Sequence, residues 1–499
     1  MDIKKDLEYV KKEQKQIYIL MGIDNLLSWD QSVNLPEDAS RTRAEQISLI
    51  QSKIHEIKSS KKLFSKLKSL SKKKLKKEDE IIIKKFYRIV SKARKIPPTL
   101  IKDLSKEEVL GNRSWEKARI KDNFRIFEPH LEKLVKLKRK EAKFIGLPGH
   151  PYNSLLDKFE EGMTVEKLKE EFGILKIGLL EILKKIKSSK GYKNHPKEIS
   201  FKKFSNENQV KLDRDVMERI GLKKSFSRID FSTHPFTTRI GDDDVRITTA
   251  IRKNPLFSFN STIHESGHGL YEANMPKEYR YTFVCDAPSY GLHESQSRIW
   301  ENNIGLSKPF WKFYSKKFNE SLRTKYSSDK FYNFVNKIED NPIRIEADEI
   351  HYILHIILRF EMELALIEGK IKVRDLPKIW NAKVKEYFGI KVKNDSEGVL
   401  QDTHWSSGLF GYFPTYAIGT IYATQLYNQM KKEIKDLDND LEKGDFSKIS
   451  NWLKEKVHKK GATLTAEGII KELTGEGLNS KIFLDYLNEK YSKIYGYKI

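Results

Sequence analysis

Cysteine is almost absent. Cys285 stands alone among 499 residues, so no internal disulfide can form, and the thiol-poor composition fits a reducing compartment. Glycine (26) and proline (15) are also scarce. Together they make about 8% of the chain against roughly 12% in average usage, which disfavours collagen-like and all-β chains and points to long helices. A spanning helix wants about 20 mostly apolar residues. The most apolar stretch, Tyr352 to Ile367, is interrupted by Arg359, Glu361 and Glu363. The start, MDIKKDLEYVKKEQ, is charged where a signal peptide needs an apolar centre of about 7–15 residues. The expectation is a cytoplasmic protein with no membrane partner.

Hydrophobic residues make up 38% and aromatics 11%, too much for a disordered chain. The length allows one large domain or several smaller ones. Lys and Arg number 94 against 70 Asp and Glu, a net charge of +24. Such an excess suggests either nucleic-acid binding or a solvated lysine-rich surface. It is densest from Lys61 to Lys77, with nine lysines and no acid. That run has no arginine, the better base reader, and no aromatic stacking array nearby. A nucleic-acid partner is therefore disfavoured.

The hydrophobic spacing is helical over Asp2–Trp29, Lys53–Val90, Phe124–Phe144 and Val165–Ser188. Pro97-Pro98 ends the second of these. The pattern changes near residue 197. Arg228 to Ile251 alternates and is β-branched, which predicts a small hairpin turning at Gly241-Asp242, with Val245–Ala250 as a strand. A helix follows, capped by Asn260 or Ser261 and running to about Ala273, with Asn274 as a left-handed terminator. No repeat and no glycine- or serine-rich linker divides the chain. The fold expected is mainly α, a single unit over 1–499 with a small β-sheet element beside the motif helix described next. An N-terminal helical layer covers roughly 1–200 and a motif-bearing part roughly 201–499.

His264-Glu265-Ser266-Gly267-His268 is an HExxH motif. On a helix, positions i and i+4 share a face, so both imidazoles can bind one metal ion while Glu265 serves as general base. Gly267 costs roughly 1 kcal/mol of helix propensity relative to alanine. The reason expected is a facing element too close for a side chain. A catalytic zinc site takes three protein ligands. Glu294, 26 residues beyond His268, fits as an acidic ligand on the next helix. His351 and His355 are also at i, i+4, but Tyr352 stands where the base would be, so His355 reads as a histidine that is buried or supports a ligand residue, and His351 stays open.

More of the chain carries motifs. HESQSRIWEN (His293 to Asn302) follows the HExxH. HPF (234–236), Asp244-x-Arg246-x-Thr248, Ile343-Arg344-x-x-Ala347-Asp348, Gly398-x-x-Gln401-Asp402-x-His404-Trp405 and the stretch Gly411 to Ala417 complete the set. In this order they resemble the thermostable, Taq-type metallocarboxypeptidase family. The resemblance implies a helical saddle-like fold with a deep groove, usually a homodimer. It also implies a metal-dependent exopeptidase that releases C-terminal residues from peptides with broad specificity. It assigns the metal to His264, His268 and Glu294, with zinc expected and cobalt or another divalent ion possible. Arg344 matches the position implied for gripping the substrate carboxylate with its planar fork. His234 and His404 stand as donors to substrate carbonyls, either Tyr416 or Tyr422 as a hydrogen-bond donor, and Arg246 as an aligner of the peptide. A helical oligopeptidase that cuts internally shares the HExxH and the downstream glutamate, and stays open as an alternative.

Overall fold

A computed structural model describes residues 2–193 and 198–499; the change of character near residue 197 lies outside the described residues. The N-terminal layer begins with α1 (Ile3–Val33), α2 (Ser40–Ser59), α3 (Lys61–Leu70) and α4 (Lys77–Lys95). The helix expected over Lys53–Val90 is thus three helices. Ser60 caps α3 by accepting from the Leu63 amide, and the lysine-rich turn 71–76 separates α3 from α4, where like charges oppose a continued helix. These helices share a core of their own, in which Val10 and Ile17 meet Leu63, Leu67, Ile83, Phe86 and Val90. Lys66 is tied to Asp6 within the layer.

Next come α5 (Pro98–Ile120), α6 (Glu128–Ile145), α7 (Pro151–Leu156), α8 (Val165–Ser188), the short α9 (Lys190–Lys193) and α10 (Asn206–Ile220). Pro97-Pro98 does end α4. The helix expected from Phe124 begins instead as a 3-10 turn, with α6 starting at Glu128. Pro129 sets that start, because proline lacks an N–H and suits only the first turn of a helix.

The sheet has three strands, β1 (Ser227–Phe231), β2 (Thr237–Gly241) and β3 (Asp244–Thr249), in the order β1-β3-β2. The expected hairpin is the antiparallel β2–β3 pair, and β1 adds to β3 in parallel. On β3, Val245 and Ile247 are fully buried, so that face lies on the core. β2 is an edge strand covered in part by α1. Asn25 donates to the Arg239 carbonyl at 2.8 Å.

The motif helix is α11 (Pro255–Ala273). It starts earlier than expected because Asn254, rather than Asn260 or Ser261, is its cap and accepts from the Leu256 amide at 3.1 Å. Asn274 has φ −101°, so it closes the helix without a left-handed turn. Then follow α12 (Tyr290–Arg298), which runs into a π-helical turn at Ile299–Ile304, α13 (Lys308–Leu322), α14 (Ser328–Val335), α15 (Glu349–Glu368), α16 (Leu376–Phe388) and α17 (Pro414–Glu433). The chain closes with α18 (Leu437–Lys443), α19 (Ser447–Lys456), α20 (Ala466–Thr474) and α21 (Ser480–Tyr495). A second, larger core runs through α6–α8, α10–α17 and the closing helices.

α12 lies between α11 and α17, and glycines make this possible. A Cβ at Gly267 would sit 2.5 Å from the Gln296 carbonyl oxygen, and one at Gly419 would sit 2.7 Å from Glu294 Cβ. Gly267 therefore has the close neighbour that its helix-weakening presence suggested. Among the described residues no helix is long and apolar enough to cross a membrane.

Candidate metal centre and groove

α11 and α12 bring His264, His268 and Glu294 together, one donor atom from each, all within 4.8 Å of one another. Glu294 Oε2 lies 3.3 Å from His268 Nε2 and 3.7 Å from His264 Nε2. Two imidazoles and a carboxylate suit zinc or another borderline divalent ion, and three protein donors leave room for water and substrate. The residues present fit the metal that the motif calls for.

The surroundings fix these donors. His264 Nδ1 meets Glu301 Oε2 at 2.7 Å, so its Nε2 turns to the centre. Arg298 donates from Nε to Glu294 Oε1 at 2.7 Å and from Nη1 to Glu301 Oε2 at 3.0 Å. The four residues His264, Glu301, Arg298 and Glu294 thus form a closed ring in which each carboxylate stands between a nitrogen of His264 and the Arg298 guanidinium. Burial opposes the charge on His264, but Glu301 and Glu294 outweigh it and push the imidazole up to about 9. Burial likewise opposes the Glu294 carboxylate, and Arg298 with His264 holds it well below the usual range. His268 stacks on His293, centroids 4.5 Å apart. Burial, with His293 beside it, brings His268 down to about 4, a neutral imidazole fit to ligate. His293 in turn meets Glu272 at 2.8 Å, and Glu272 pairs with Arg239 at 3.3 Å. Arg239 also donates to the Tyr18 hydroxyl of α1 at 2.7 Å.

Glu265 is 7% exposed and points into a groove of about 690 Å³. The Thr237 hydroxyl lies 2.6 Å from its Oε2 and 3.0 Å from its main-chain carbonyl. Burial raises the carboxyl above its ordinary value, while His264 and Thr237 pull the other way. The groove is walled by α4 (Lys85, Arg88, Lys92), by Phe159 and Tyr290, and by Tyr412 and Tyr416.

Arg344 is buried outside the groove lining, its guanidinium 5.2 Å from the Tyr416 ring centre. Its Nε and Nη2 donate to Asp402 Oδ1 at 3.0 and 2.7 Å, and Nη1 donates to the Tyr352 hydroxyl at 3.2 Å. The fork expected to grip a substrate carboxylate is therefore held by Asp402, and only the Nη1 edge is turned towards the tyrosines. Arg359 also donates to Asp402, from Nε to Oδ2 at 2.6 Å. His404 Nε2 lies 3.1 Å from the Tyr416 hydroxyl, and its buried Nδ1 has no hydrogen-bond partner among the described residues.

Of the expected substrate contacts Tyr416 lines the groove, Arg344 and His404 pack against Tyr416 from outside that lining, and Tyr422, Arg246 and His234 are outside it as well. Tyr422 is fully buried and absent from the groove wall, so Tyr416 is the tyrosine of the pair that reaches it. Arg246 pairs with Asp244 and stacks on Trp29 of α1, 4.2 Å from the ring centre, on the side of β3 opposite its core face. His234 is exposed in the β1–β2 link, outside the groove lining. That link is tied down by Thr248, whose hydroxyl meets Ser232 and the Phe236 amide. His351 and His355 are both buried and held by protein, His351 by Asp348 at 2.7 Å and His355 by the Asn341 carbonyl at 3.3 Å. Sequence reasoning missed Thr237, Glu272 and Glu301. Glu301 alone carried a signal, as an acid inside the HESQSRIWEN stretch.

Comparison with known proteins agrees with this geometry. The family model described as Carboxypeptidase Taq (M32) metallopeptidase matches residues 9–491. Carboxypeptidase 1 of Bacillus subtilis is 38% identical over 485 residues, covering 94% of this chain and 95% of that protein. Thermostable carboxypeptidase 1 of Pyrococcus furiosus is 34% identical, covering 97% and 98%. A solved structure of Pyrococcus furiosus carboxypeptidase superposes with a TM-score of 0.94 at 33% identity, covering 97% of this chain and 99% of that one. With the motifs, the helical fold and the ligand cluster in agreement, the chain belongs to the Carboxypeptidase Taq (M32) metallopeptidase family.

Proposed function

We propose that the protein is a zinc carboxypeptidase that releases single C-terminal residues from peptides, with Glu265 as general base. The observation that carries the reading is the cluster of His264, His268 and Glu294 beside a buried carboxylate, at the wall of a peptide-sized groove. When bound by those three residues, a divalent ion supplies Lewis-acid polarisation of the scissile carbonyl. Glu265 takes a proton from the attacking water and delivers it to the leaving nitrogen. The α-carboxylate is received at the Arg344 end, where Nη1 donates to the Tyr352 hydroxyl, the guanidinium lies over the Tyr416 ring and His404 meets the Tyr416 hydroxyl. Arg344 is buried with Arg359 around one Asp402, so this end carries two guanidinium charges against one carboxylate. Broad side-chain specificity, a homodimeric state and a cytoplasmic location complete the proposal and rest on the family resemblance and composition.

The test is mass spectrometry of one defined peptide, with and without chelator, then with zinc or cobalt restored. The expected result is a ladder shrinking from the C-terminus, lost on chelation, restored by metal, and suppressed by C-terminal amidation. Internal fragments would instead identify an oligopeptidase. Indifference to amidation would remove Arg344 from carboxylate recognition.

A further inference from the structure

We infer that Thr237 is a positioning residue for the general base, holding one oxygen of Glu265 so that the other faces the attacking water. The inference rests on the reading of Glu265 as base. Thr237 opens the edge strand β2 and lies in the groove wall, next to α11. Its Oγ1 is 2.6 Å from Glu265 Oε2 and 3.0 Å from the Glu265 main-chain carbonyl.

A hydroxyl carries one hydrogen and two lone pairs. It can donate to one of these two oxygens at a time. The carboxylate bond is the shorter and is charge-assisted, so it takes the hydrogen while Glu265 is ionised. Oε1 has no protein partner among the described residues, and Oε2 is occupied, so Oε1 is the oxygen left to accept the proton from water. Without Thr237 the carboxyl terminus of Glu265 could rotate, because the last torsion of a glutamate is broad rather than staggered. A base that must lie within about 2.6–3.2 Å of the proton it takes loses rate when it rotates.

The platform under Thr237 is rigid. Thr248 on β3 bonds the Phe236 amide through its hydroxyl at 3.0 Å and the Phe236 carbonyl through its own amide at 2.8 Å. On the other side, Asn25 of α1 holds the Arg239 carbonyl. Thr237 is thus pinned between an anchor one residue before it and another two residues after it, so its hydroxyl is placed at Glu265 by a fixed backbone and a short side chain.

The test is a double-mutant cycle of Thr237→Val and Glu265→Gln in the metal-loaded protein, with Thr237→Ser as the conservative variant. Valine keeps the shape and removes the hydroxyl. The expected result for T237V is a fall in kcat of about 10- to 100-fold, the range of a hydrogen bond to a charged group, with KM within about twofold. Metal affinity by chelator competition stays at the wild-type value. T237S recovers most of kcat. In the E265Q background T237V causes no further loss, because the two residues act as one unit. Wild-type kcat in T237V, equal losses in T237S and T237V, or a full additional loss on top of E265Q would each overturn the inference. If E265Q itself kept wild-type activity, the general-base reading would fall first, and that outcome is distinct from the others.

Discussion

Gly267→Ala tests how closely the ligand-bearing helices meet. A methyl at Gly267 would lie 2.5 Å from the Gln296 carbonyl oxygen, 2.7 Å from Ser297 Cα and 3.0 Å from the Gln296 carbonyl carbon. All three are backbone atoms of α12, so no rotamer change relieves them. Ordinary contact begins near about 3.4 Å, so the worst approach must open by roughly 0.9 Å. α12 cannot simply retreat, because Gly419 of α17 backs it at Glu294. Overpacking of this kind costs about 1–3 kcal/mol. Better helix propensity returns about 1 kcal/mol. The net effect on apo stability is a loss of about 0–2 kcal/mol. The metal site is far less tolerant, since ligand distances must hold within about 0.2 Å. Glu294 moves with α12, whereas His264 and His268 stay with α11. The expected outcome is a folded G267A protein whose metal affinity falls at least about tenfold, measured by competition with a chelator of known affinity beside urea unfolding of the apo protein. An apo G267A protein that is stabilised and binds metal as wild type does would refute the packing argument.

Glu301→Gln should weaken metal binding about 10- to 100-fold in the same competition assay, because it loosens the orientation of His264 and unbalances the charged ring. His351 gives a pH signature. Burial opposes its charge, but Asp348 and Asp340 outweigh that and push it up to about 9, above the usual histidine value of 6.5. Its folded-state pKa is raised, so its contribution is complete below about pH 6.5 and is lost as pH rises through about 9, a loss of about 3 kcal/mol. Urea midpoints between pH 6 and 10 should fall steeply in the wild type and less so in His351→Gln; equal slopes would exclude His351 as the source. Arg239→Met should leave Glu272 buried without its cation and destabilise by about 3–5 kcal/mol in chemical denaturation. A loss below 1 kcal/mol would mean that His293 alone balances Glu272.

Much of the site was legible because its residues lie on a single helix or in an ordered string of motifs. The i, i+4 spacing of His264 and His268 and the helical cost of Gly267 needed only local rules. What escaped depends on contacts across the chain. Glu301 reaches His264 over 37 positions, through a π-helical turn that no spacing rule announces. Thr237 looked like one β-branched residue among several, and only the packing of β2 on α11 gives its hydroxyl a target. Arg246 sat beside the right strand but on the wrong face, because alternation tells that neighbours point oppositely and not which face meets the groove. The fold class followed from composition and periodicity. Helix starts were missed where a single cap decides, as at Asn254 and Ser60.

The first four helices keep their own core, and much of their seam to the rest of the chain is polar. Arg88 bonds Asp157 at 2.7 Å and Glu161 at 3.0 Å, Lys85 bonds Glu161 at 3.1 Å, and Lys92 also reaches Asp157. Phe86 against Phe283 and Tyr18 against Tyr281 add aromatic contacts. The same Lys85, Arg88 and Lys92 form one wall of the groove. Partly exposed ion pairs weaken as the Debye length shortens, whereas apolar cores do not. Ionic strength should therefore act on this groove wall before it acts on either core.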